Sequence, residues 1–176
     1  MRRNFLHLSL LASILLLNGC AHQAPASTPA PAPKAPATIN LGSFADPHDT
    51  QPVACGLANN QATLPGNADY VTYLKQTLMT QLNQQGKYDP NSKMTVDATL
   101  DKISYDSAVF GGGDWKIKMT FNDHVQPPYT VSNIYHFLGS AGIPCVQVMN
   151  AFVPAAKQFM KTVYQNPSFQ KTLQGK

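Results

Sequence analysis

The chain has 176 residues, of which 12% are charged, and its formal net charge at pH 7 is +4. The only two arginines are Arg2 and Arg3, so the basic residues that follow are all lysines, and the chain contains no Glu. There is also no basic run or stripe. Because readout of bases and phosphates depends on clustered Arg and Lys, this composition argues against nucleic acid as a partner.

The first 19 residues have the pattern of an export signal. Arg2 and Arg3 supply positive charge, and residues 5–17 form an apolar run that only three polar residues interrupt. Such a run is shorter than the roughly 20 apolar residues that a membrane-spanning helix needs. We therefore predict that residues 1–19 are a signal peptide that the mature protein lacks.

The four residues Leu17-Asn18-Gly19-Cys20 resemble the lipobox of bacterial lipoproteins. The resemblance implies that Cys20 becomes the mature N-terminus and carries a diacylglycerol thioether together with an amide-linked acyl chain such as palmitate. Several chains matter because one buried acyl chain gives only marginal, reversible membrane binding. The alternative is an ordinary secretory signal that is cut elsewhere and leaves Cys20 unmodified.

Residues 20–38 have the composition of a tether. After Cys20 the chain reads AHQAPASTPAPAPKAPAT, which lacks apolar periodicity and favours a semi-rigid polyproline II spacer. An aspartate directly after the cysteine would resemble the inner-membrane retention signal of enteric bacteria, but this chain has Ala21 there. We therefore predict attachment to the outer membrane on its periplasmic side, followed by one domain over residues 39–176.

Two cysteines, Cys55 and Cys145, lie in the predicted domain. Export to an oxidising compartment favours a disulfide between them, which would close a loop of about 90 residues. The alternative is two buried thiols that do not meet, since their geometry cannot be derived from the sequence.

The predicted domain begins with a strand and a helix. Residues 39–44 (INLGSF) are typical of a short strand, and a loop rich in Pro, Asp, Gly and Asn follows to about residue 67. Asn67 or Asp69 can then cap a helix that Gly86 ends. Its apolar positions recur at helical spacing, at Val71, Leu74, Leu78 and Leu82.

Three strands are predicted next. Apolar and polar residues alternate over 94–105 with a shift of phase that indicates a bulge near Lys102. Gly111-Gly112-Gly113 could be a phosphate loop, but the alternation over 115–121 predicts a strand where a phosphate loop needs a helix. The glycines therefore predict a hairpin turn, and residues 129–137 predict the third strand.

Apolar residues at steps of three and four predict a long helix from Val146 to Val163. Pro154 should kink this helix, and Asn166-Pro167 should cap a short final turn. A coiled-coil dimer seam is the alternative, but the stripe is short and a proline interrupts it. The predicted fold is thus α+β, an antiparallel meander of three to four strands with two helices on one face, in the order β-α-β-β-β-α.

Three stretches carry a resemblance to bacterial envelope proteins: LKQTLMTQLNQQGKY, MTVDATLDKISYD and AAKQFMKTVYQNPSFQKTL. Their succession of helix, turn, long strands and C-terminal helix resembles the YajG-like family of outer-membrane lipoproteins over residues 68–176. It is similar, more weakly, to the auxiliary lipoprotein component of ABC-type lipid transporters. Neither resemblance implies catalytic residues.

Catalysis finds little support in the sequence. Without Glu, hydrolysis by paired carboxylates would need two Asp, and Asp97 and Asp101 lie on the predicted wet face of a strand. There is no G-x-S-x-G motif for a serine nucleophile. We predict a non-enzymatic protein with no catalytic residue.

One candidate metal site is Asp46-Pro47-His48-Asp49, with His22 and Asp123-His124 elsewhere. A structural zinc site needs about four ligands at defined spacing, so we predict a solvated turn and neither a metal nor another cofactor. His136 lies on the polar phase of its strand and should be exposed.

Aromatic residues cluster in the predicted meander. Those at the strand ends could line a groove for an apolar ligand, a glycan or a partner protein, although core packing is the alternative. The candidate surface consists of Tyr105, Phe110, Trp115, Tyr129 and Tyr135.

The sequence as a whole predicts a lipid-anchored, non-enzymatic periplasmic domain of the bacterial outer membrane, acting as an accessory or structural envelope factor. The alternative is an auxiliary subunit of an envelope lipid-transport assembly that binds a lipid or a transporter protein. A secreted hydrolase is a third class, which would require convergent polar residues in a pocket. The expected partners are the membrane, through the lipid anchor, and an envelope protein, while the oligomeric state stays open.

Overall fold

Helices pack against one face of a mixed β-sheet in the computed structural model of the chain. The predicted signal peptide, Cys20 and almost all of the tether lie outside the described residues. The structure describes residues 37–50, 54–55, 60–61, 64, 66, 68–107, 112–139 and 145–175, with only the backbone at 54–55 and 60–61.

Strands and helices follow the predicted order, with additions. The helices are α1 (Tyr70–Gln84), α2 (Cys145–Gln165) and α3 (Pro167–Leu173). The strands are β1 (Asn40–Ala45), β2 (Ala54–Cys55), β3 (Asn60–Gln61), β4 (Thr95–Ser107), β5 (Gly113–Asn122) and β6 (Tyr129–Phe137).

The main sheet has the order β1-β4-β5-β6, and its last three strands form the predicted antiparallel meander. The α+β class is confirmed, but the sheet is mixed because β1 pairs with β4 in parallel. The connection from β1 to β4 contains α1 and returns the chain to the same end of the sheet, as parallel pairing requires. A small antiparallel ribbon of β2 and β3 was not predicted.

Local signals at the ends of α1 and α3 are confirmed. The Asp69 side chain accepts a hydrogen bond from the amide of Thr72 at 2.7 Å, and Gly86 follows α1 with a φ of 62°. Asn166 caps α3, whose first residue is Pro167. Short-range capping chemistry thus fixes the boundaries of both helices.

The predicted bulge in β4 is confirmed as a register shift between Leu100 and Lys102. The pairing of Ser107 with Gly113 makes β4 and β5 a hairpin, although residues 108–111 lie outside the described part. Gly112 has a φ of 92°, and a Cβ there would lie 2.2 Å from the carbonyl oxygen of Phe137. This glycine is therefore required by backbone geometry and by close packing.

The core lies between the sheet and the helices. The helix α2 contains Pro154 and continues through it. Trp115 is 0% exposed, and its Nε1 donates to the carbonyl oxygen of Val148 in α2 at 3.0 Å. The largest fully buried side chains are Trp115, Phe121, Phe152, Phe159, Phe169, Ile39, Leu74, Leu78, Leu82, Leu100, Met119 and Met160.

Among the helices of the described ranges, none combines the length and the apolar character that crossing a membrane requires.

Candidate functional site

A groove of about 740 Å³, lined by polar residues and by the apolar parts of their side chains, runs between α1 and α2 on the side of the helices that faces away from the core. Five glutamines line it: Gln76, Gln81, Gln84, Gln85 and Gln165. The remaining described lining residues are Tyr73, Thr77, Thr80, Lys157, Lys161 and Tyr164. We call this surface the α1–α2 groove.

The groove follows from two amphipathic helices lying side by side. On α1 the buried residues recur at helical spacing, so the positions between them turn toward solvent. Lys157 and Lys161 are one turn apart on the exposed side of α2 and therefore neighbour each other. The ring of Phe152 lies 5.3 Å from Tyr70 and 5.5 Å from Tyr73, which fixes the first turn of α1 against α2.

The groove is cationic and rich in uncommitted hydrogen-bonding groups. Neither α1 nor α2 contains an Asp or Glu. Within the described part of the chain, Lys157 and Lys161 form no ion pair, and the five glutamine side chains make no hydrogen bond. The hydroxyl of Thr77 is already committed, because it donates to the carbonyl oxygen of Tyr73 at 2.8 Å.

The opposite face of the sheet is polar, and each carboxylate of β4 and β5 that lies on it has a hydrogen-bond partner. Asp97 accepts a hydrogen bond from the amide of Ser43 at 2.6 Å, and its other oxygen lies 2.7 Å from Nε2 of His124. Asp101 accepts one from the hydroxyl of Thr120 at 2.8 Å. Both carboxylates thus lie on the polar face, as expected, and hold neighbouring segments together.

Two further pairs lie on the same face. Lys116 Nζ is 2.5 Å from a carboxylate oxygen of Asp106, and this hydrogen bond lowers the pKa of Asp106. His136 is exposed and pairs with Asp114. These pairs are local and solvated, so they stabilise the sheet only weakly.

The candidate metal ligands near Asp46 form a turn. The Asp46 carboxylate accepts hydrogen bonds from the amides of His48 at 3.0 Å and Thr50 at 2.8 Å. Burial alone would raise the pKa of Asp46, but the hydrogen bonds from Thr50 and His48 outweigh it and lower the pKa. Among the described residues, no group of three or more His, Cys, Asp or Glu is placed to hold a metal ion.

The aromatic candidates are distributed between the core and its margin. Trp115 is fully buried, so its assignment to a binding surface was wrong. Tyr129 and Tyr135 are half-buried and pack against the core, while Phe110 lies outside the described residues. The physical reason is strand periodicity, which turns alternate residues of β5 and β6 toward the helices.

Tyr105 belongs to the margin of the same core. Its hydroxyl donates to the carbonyl oxygen of Gly112 at 3.0 Å, and its ring lies 5.6 Å from Trp115 and 5.9 Å from Phe137. Burial, followed by the nearby charge of Asp114, raises the pKa of Tyr105. The hydroxyl therefore acts as a neutral donor that closes the hairpin.

A buried polar network, which the sequence did not indicate, anchors α3. Asp123 is 4% exposed and accepts hydrogen bonds from the hydroxyl of Thr172 at 2.5 Å and from the side chain of Gln126 at 2.8 Å. The amides of Val125 and Gln126 donate to its other oxygen at 3.0 and 2.9 Å. Burial would raise the pKa of Asp123, but these hydrogen bonds outweigh it and lower the pKa to about 2.

Tyr129 lies beside this network. Burial and the charge of Asp123 raise its pKa, and its ring stacks on Phe121 at 5.9 Å. The network and the aromatic stack together fix α3 to the β5–β6 end of the sheet.

Sequence reasoning missed the α1–α2 groove as a site, although a signal was present. The polar positions of α1 hold amides, threonines and one lysine, with no acidic residue among them. The pair Lys157 and Lys161 at a spacing of four residues marks the same side of α2. What the sequence did not contain was the side-by-side placement of the two helices.

Comparison with known proteins gives similarity of structure only. No family model matches the chain, and no curated protein matches it in sequence. A protein of the family DUF330 from Xanthomonas campestris has a similar crystal structure, with a TM-score of 0.54 and 13% identity over 84% of this chain and 91% of that chain.

Two other solved structures are more distant. A minor lipoprotein from Acinetobacter baumannii has a TM-score of 0.43 and 10% identity over 75% of this chain and 90% of that chain. The PelC dodecamer from Paraburkholderia phytofirmans has a TM-score of 0.39 and 12% identity over 79% of this chain and 88% of that chain. The similarity to the DUF330 protein shows a shared fold and no more.

Proposed function

We propose that the chain is a lipid-anchored, non-enzymatic binding protein of the bacterial outer membrane. In this proposal its periplasmic domain contacts a component of the cell envelope through the α1–α2 groove. The protein is thus an accessory factor that a tether holds near the membrane.

The lining of the groove is the observation that carries this proposal. Its described residues are Gln, Thr, Lys and Tyr, which donate and accept hydrogen bonds. They include no carboxylate, histidine or cysteine, the groups that most often act as acid, base or nucleophile near neutral pH. Such a surface is suited to holding a polar ligand without transforming it.

The anchor rests on the sequence, since residues 1–36 lie outside the described part of the chain. The lipobox-like stretch ending at Cys20 and the Ala- and Pro-rich segment behind it support lipidation and a spacer of extended chain. Ala21 supports retention at the outer membrane.

The anchor is tested by expressing the full chain and a Cys20→Ala variant in a bacterial host, then fractionating membranes and measuring intact mass. We expect the wild-type mass to equal residues 20–176 plus acyl groups, and both acylation and membrane association to be lost in the variant. Asn18→Ala, which changes the lipobox but keeps the cysteine, is the matched control and should remain acylated. A soluble, unmodified wild-type chain that is cut at another site would refute the anchor.

We also propose that Cys55 and Cys145 form a disulfide. The Cys145 sulfur is in a disulfide bond. Cys145 is the first residue of α2, which contacts β2. Cys55 belongs to β2, although its side chain lies outside the described part. Since Cys20 is proposed to carry lipid, Cys55 is the partner that remains.

Membership in a lipid-transport assembly is a second candidate, which two exposed apolar side chains favour. Leu138 is 97% exposed and follows Phe137, whose ring stacks on Tyr105, and Val146 in the first turn of α2 is 61% exposed. The test is transfer of a fluorescent phospholipid between vesicles by the full chain. If the wild-type chain transfers the lipid and a Leu138→Ser variant does not, this candidate is favoured over binding in the α1–α2 groove. Absence of transfer by the wild-type chain would remove it.

A further inference from the structure

We infer that the α1–α2 groove binds an anionic glycan, meaning a carbohydrate chain that bears carboxylate groups. This inference rests on the proposed function in taking the groove as the contact surface, and it adds the chemical class of the ligand.

The charge of the groove is uncompensated. Lys157 and Lys161 are exposed and one helical turn apart, and no carboxylate occurs anywhere in α1 or α2. Lys116 instead pairs with Asp106, and Lys75 donates to the carbonyl oxygen of Gly42 at 2.6 Å. Lys102 and Lys118 also form no ion pair with a described residue, but they share their face of the sheet with the carboxylates of Asp106 and Asp114. The pair in the groove can therefore attract an external anion without first breaking an internal ion pair.

The amides of the groove add a second requirement. Each glutamine side chain offers two N–H donors and a carbonyl acceptor, which match hydroxyl groups because a hydroxyl both donates and accepts. Those on α1 and at its C-cap run from Gln76 to Gln85, an axial separation of about 14 Å at the helical rise of 1.5 Å per residue. A single phosphate or acetate could use the two lysines but would leave this row of amides without a partner.

The ends of the helices give the ligand a direction. Gln84, Gln85 and Gln165 lie where α1 and α2 end, and the negative end of each helix dipole disfavours an anion there, whereas the side-chain amides can pair with hydroxyl groups. A chain with hydroxyls at that end and a carboxylate toward Lys157 satisfies both conditions. A compact anion satisfies only one.

Two tyrosines supply apolar surface beside these polar groups. Tyr73 lies 5.5 Å from the ring of Phe152, and Tyr164 lies 6.4 Å from the ring of Phe169. Both side chains are half-buried, so core neighbours hold them while part of each ring faces the groove. Positioned aromatic rings offer contact area at low cost in conformational entropy, against which the C–H groups of a sugar ring can pack.

The test uses the full-length lipoprotein in neutral detergent and a fluorescently labelled tetragalacturonate, with binding measured by anisotropy. We expect saturable binding that Lys157→Gln/Lys161→Gln weakens at least tenfold. Lys93→Gln/Lys118→Gln removes the same charge from positions outside the groove and should leave affinity within twofold. Gln76→Ala/Gln84→Ala should weaken binding severalfold without changing net charge.

Each other outcome overturns the inference. Absence of saturable binding, or equal loss in both lysine double variants, would mean that the groove does not recognise this ligand. Equal binding of a neutral dextran oligosaccharide would remove the role of the carboxylates. Full competition by inorganic phosphate at equal concentration would indicate a small-anion site, and full competition by anionic phospholipid vesicles would indicate a membrane surface. None of these results would affect the test of Cys20, so the two proposals fail separately.

Discussion

Two polar regions of the molecule differ in how their hydrogen-bonding groups are used. In the Asp123 network, one carboxylate accepts from a hydroxyl, a side-chain amide and two backbone amides. In the α1–α2 groove, five side-chain amides and two ammonium groups make no such bond with described residues. The network is closed on itself, whereas the groove is open to solvent.

The difference separates groups that hold the fold from groups that can hold a ligand. Buried polar groups must be paired because an unpaired one costs about 1–3 kcal/mol. Exposed amides and ammonium groups carry no such penalty, since water satisfies them until a ligand replaces it. Substitutions in the network should therefore change stability without changing affinity, and substitutions in the groove should do the reverse.

The proposed disulfide between Cys55 and Cys145 would give a scale against which the network can be judged. Closing a loop of about 90 residues stabilises the fold by roughly 4–5 kcal/mol in the chain-entropy model. We expect Cys55→Ser, Cys145→Ser and the double variant to lose similar amounts of unfolding free energy, measured by urea denaturation. Full stability of Cys55→Ser, with a disulfide still detected by mass, would show that Cys145 has another partner.

The largest expected effect in the network itself comes from Asp123→Asn. The neutral amide keeps the shape of the side chain but replaces one acceptor oxygen by a donor NH₂ group. Thr172 and Gln126 therefore lose their charge-assisted hydrogen bonds. We expect a loss of about 3 kcal/mol in unfolding free energy. Affinity for tetragalacturonate should stay unchanged.

Asp106→Asn is the matched control for Asp123→Asn. Its carboxylate pairs with Lys116 in solvent, so removing that charge should barely change stability. Equal destabilisation by both variants would mean that burial of the network does not matter.

The low pKa of Asp123 also predicts acid sensitivity. The folded pKa is about 2, below the ordinary value of 3.8, so the stabilisation is complete above about pH 4 and is lost as the pH falls toward 2. The shift corresponds to roughly 2 kcal/mol. Urea denaturation at pH 5 and pH 2.5 should show this loss in the wild-type chain and a smaller one in Asp123→Asn. An identical pH dependence in both chains would assign the effect to other carboxyl groups.

The sequence predicted most of the fold because the relevant signals are local. The spacing of leucines defined α1, alternation defined β5 and β6, and Asn166-Pro167 marked the start of α3. The parallel pairing of β1 was not predicted, because a short strand such as INLGSF contains no signal for the direction of its neighbour. Pairing direction is set by the crossover through α1, which is a tertiary feature.

The sites were less accessible to sequence reasoning for the same reason. In the Asp123 network, Thr172 is separated in sequence from Gln126 by 46 positions and from Asp123 by 49 positions. Nothing near Asp123 in the chain therefore points to Thr172. Aromatic residues suggested a surface, yet Trp115 turned out to be the centre of the core, where its ring packs at 4.9 Å from Phe152. The aromatic residues indicated a large area of contact, but whether that contact is with a ligand or with the core is decided by the packing of α2 on the sheet.

The smallest expected change in stability comes from the groove, and it completes the comparison. Gln76→Ala/Gln84→Ala replaces exposed amides on α1, and Ala has the highest intrinsic helix propensity, so unfolding free energy should stay within about 0.5 kcal/mol of wild type. Because these amides make no hydrogen bond with described residues, their loss leaves no buried group unpaired. The same variant should bind tetragalacturonate severalfold more weakly, measured by anisotropy beside the denaturation series. A loss of stability comparable to that of Asp123→Asn would show that the amides belong to the fold and would erase the distinction between the two regions.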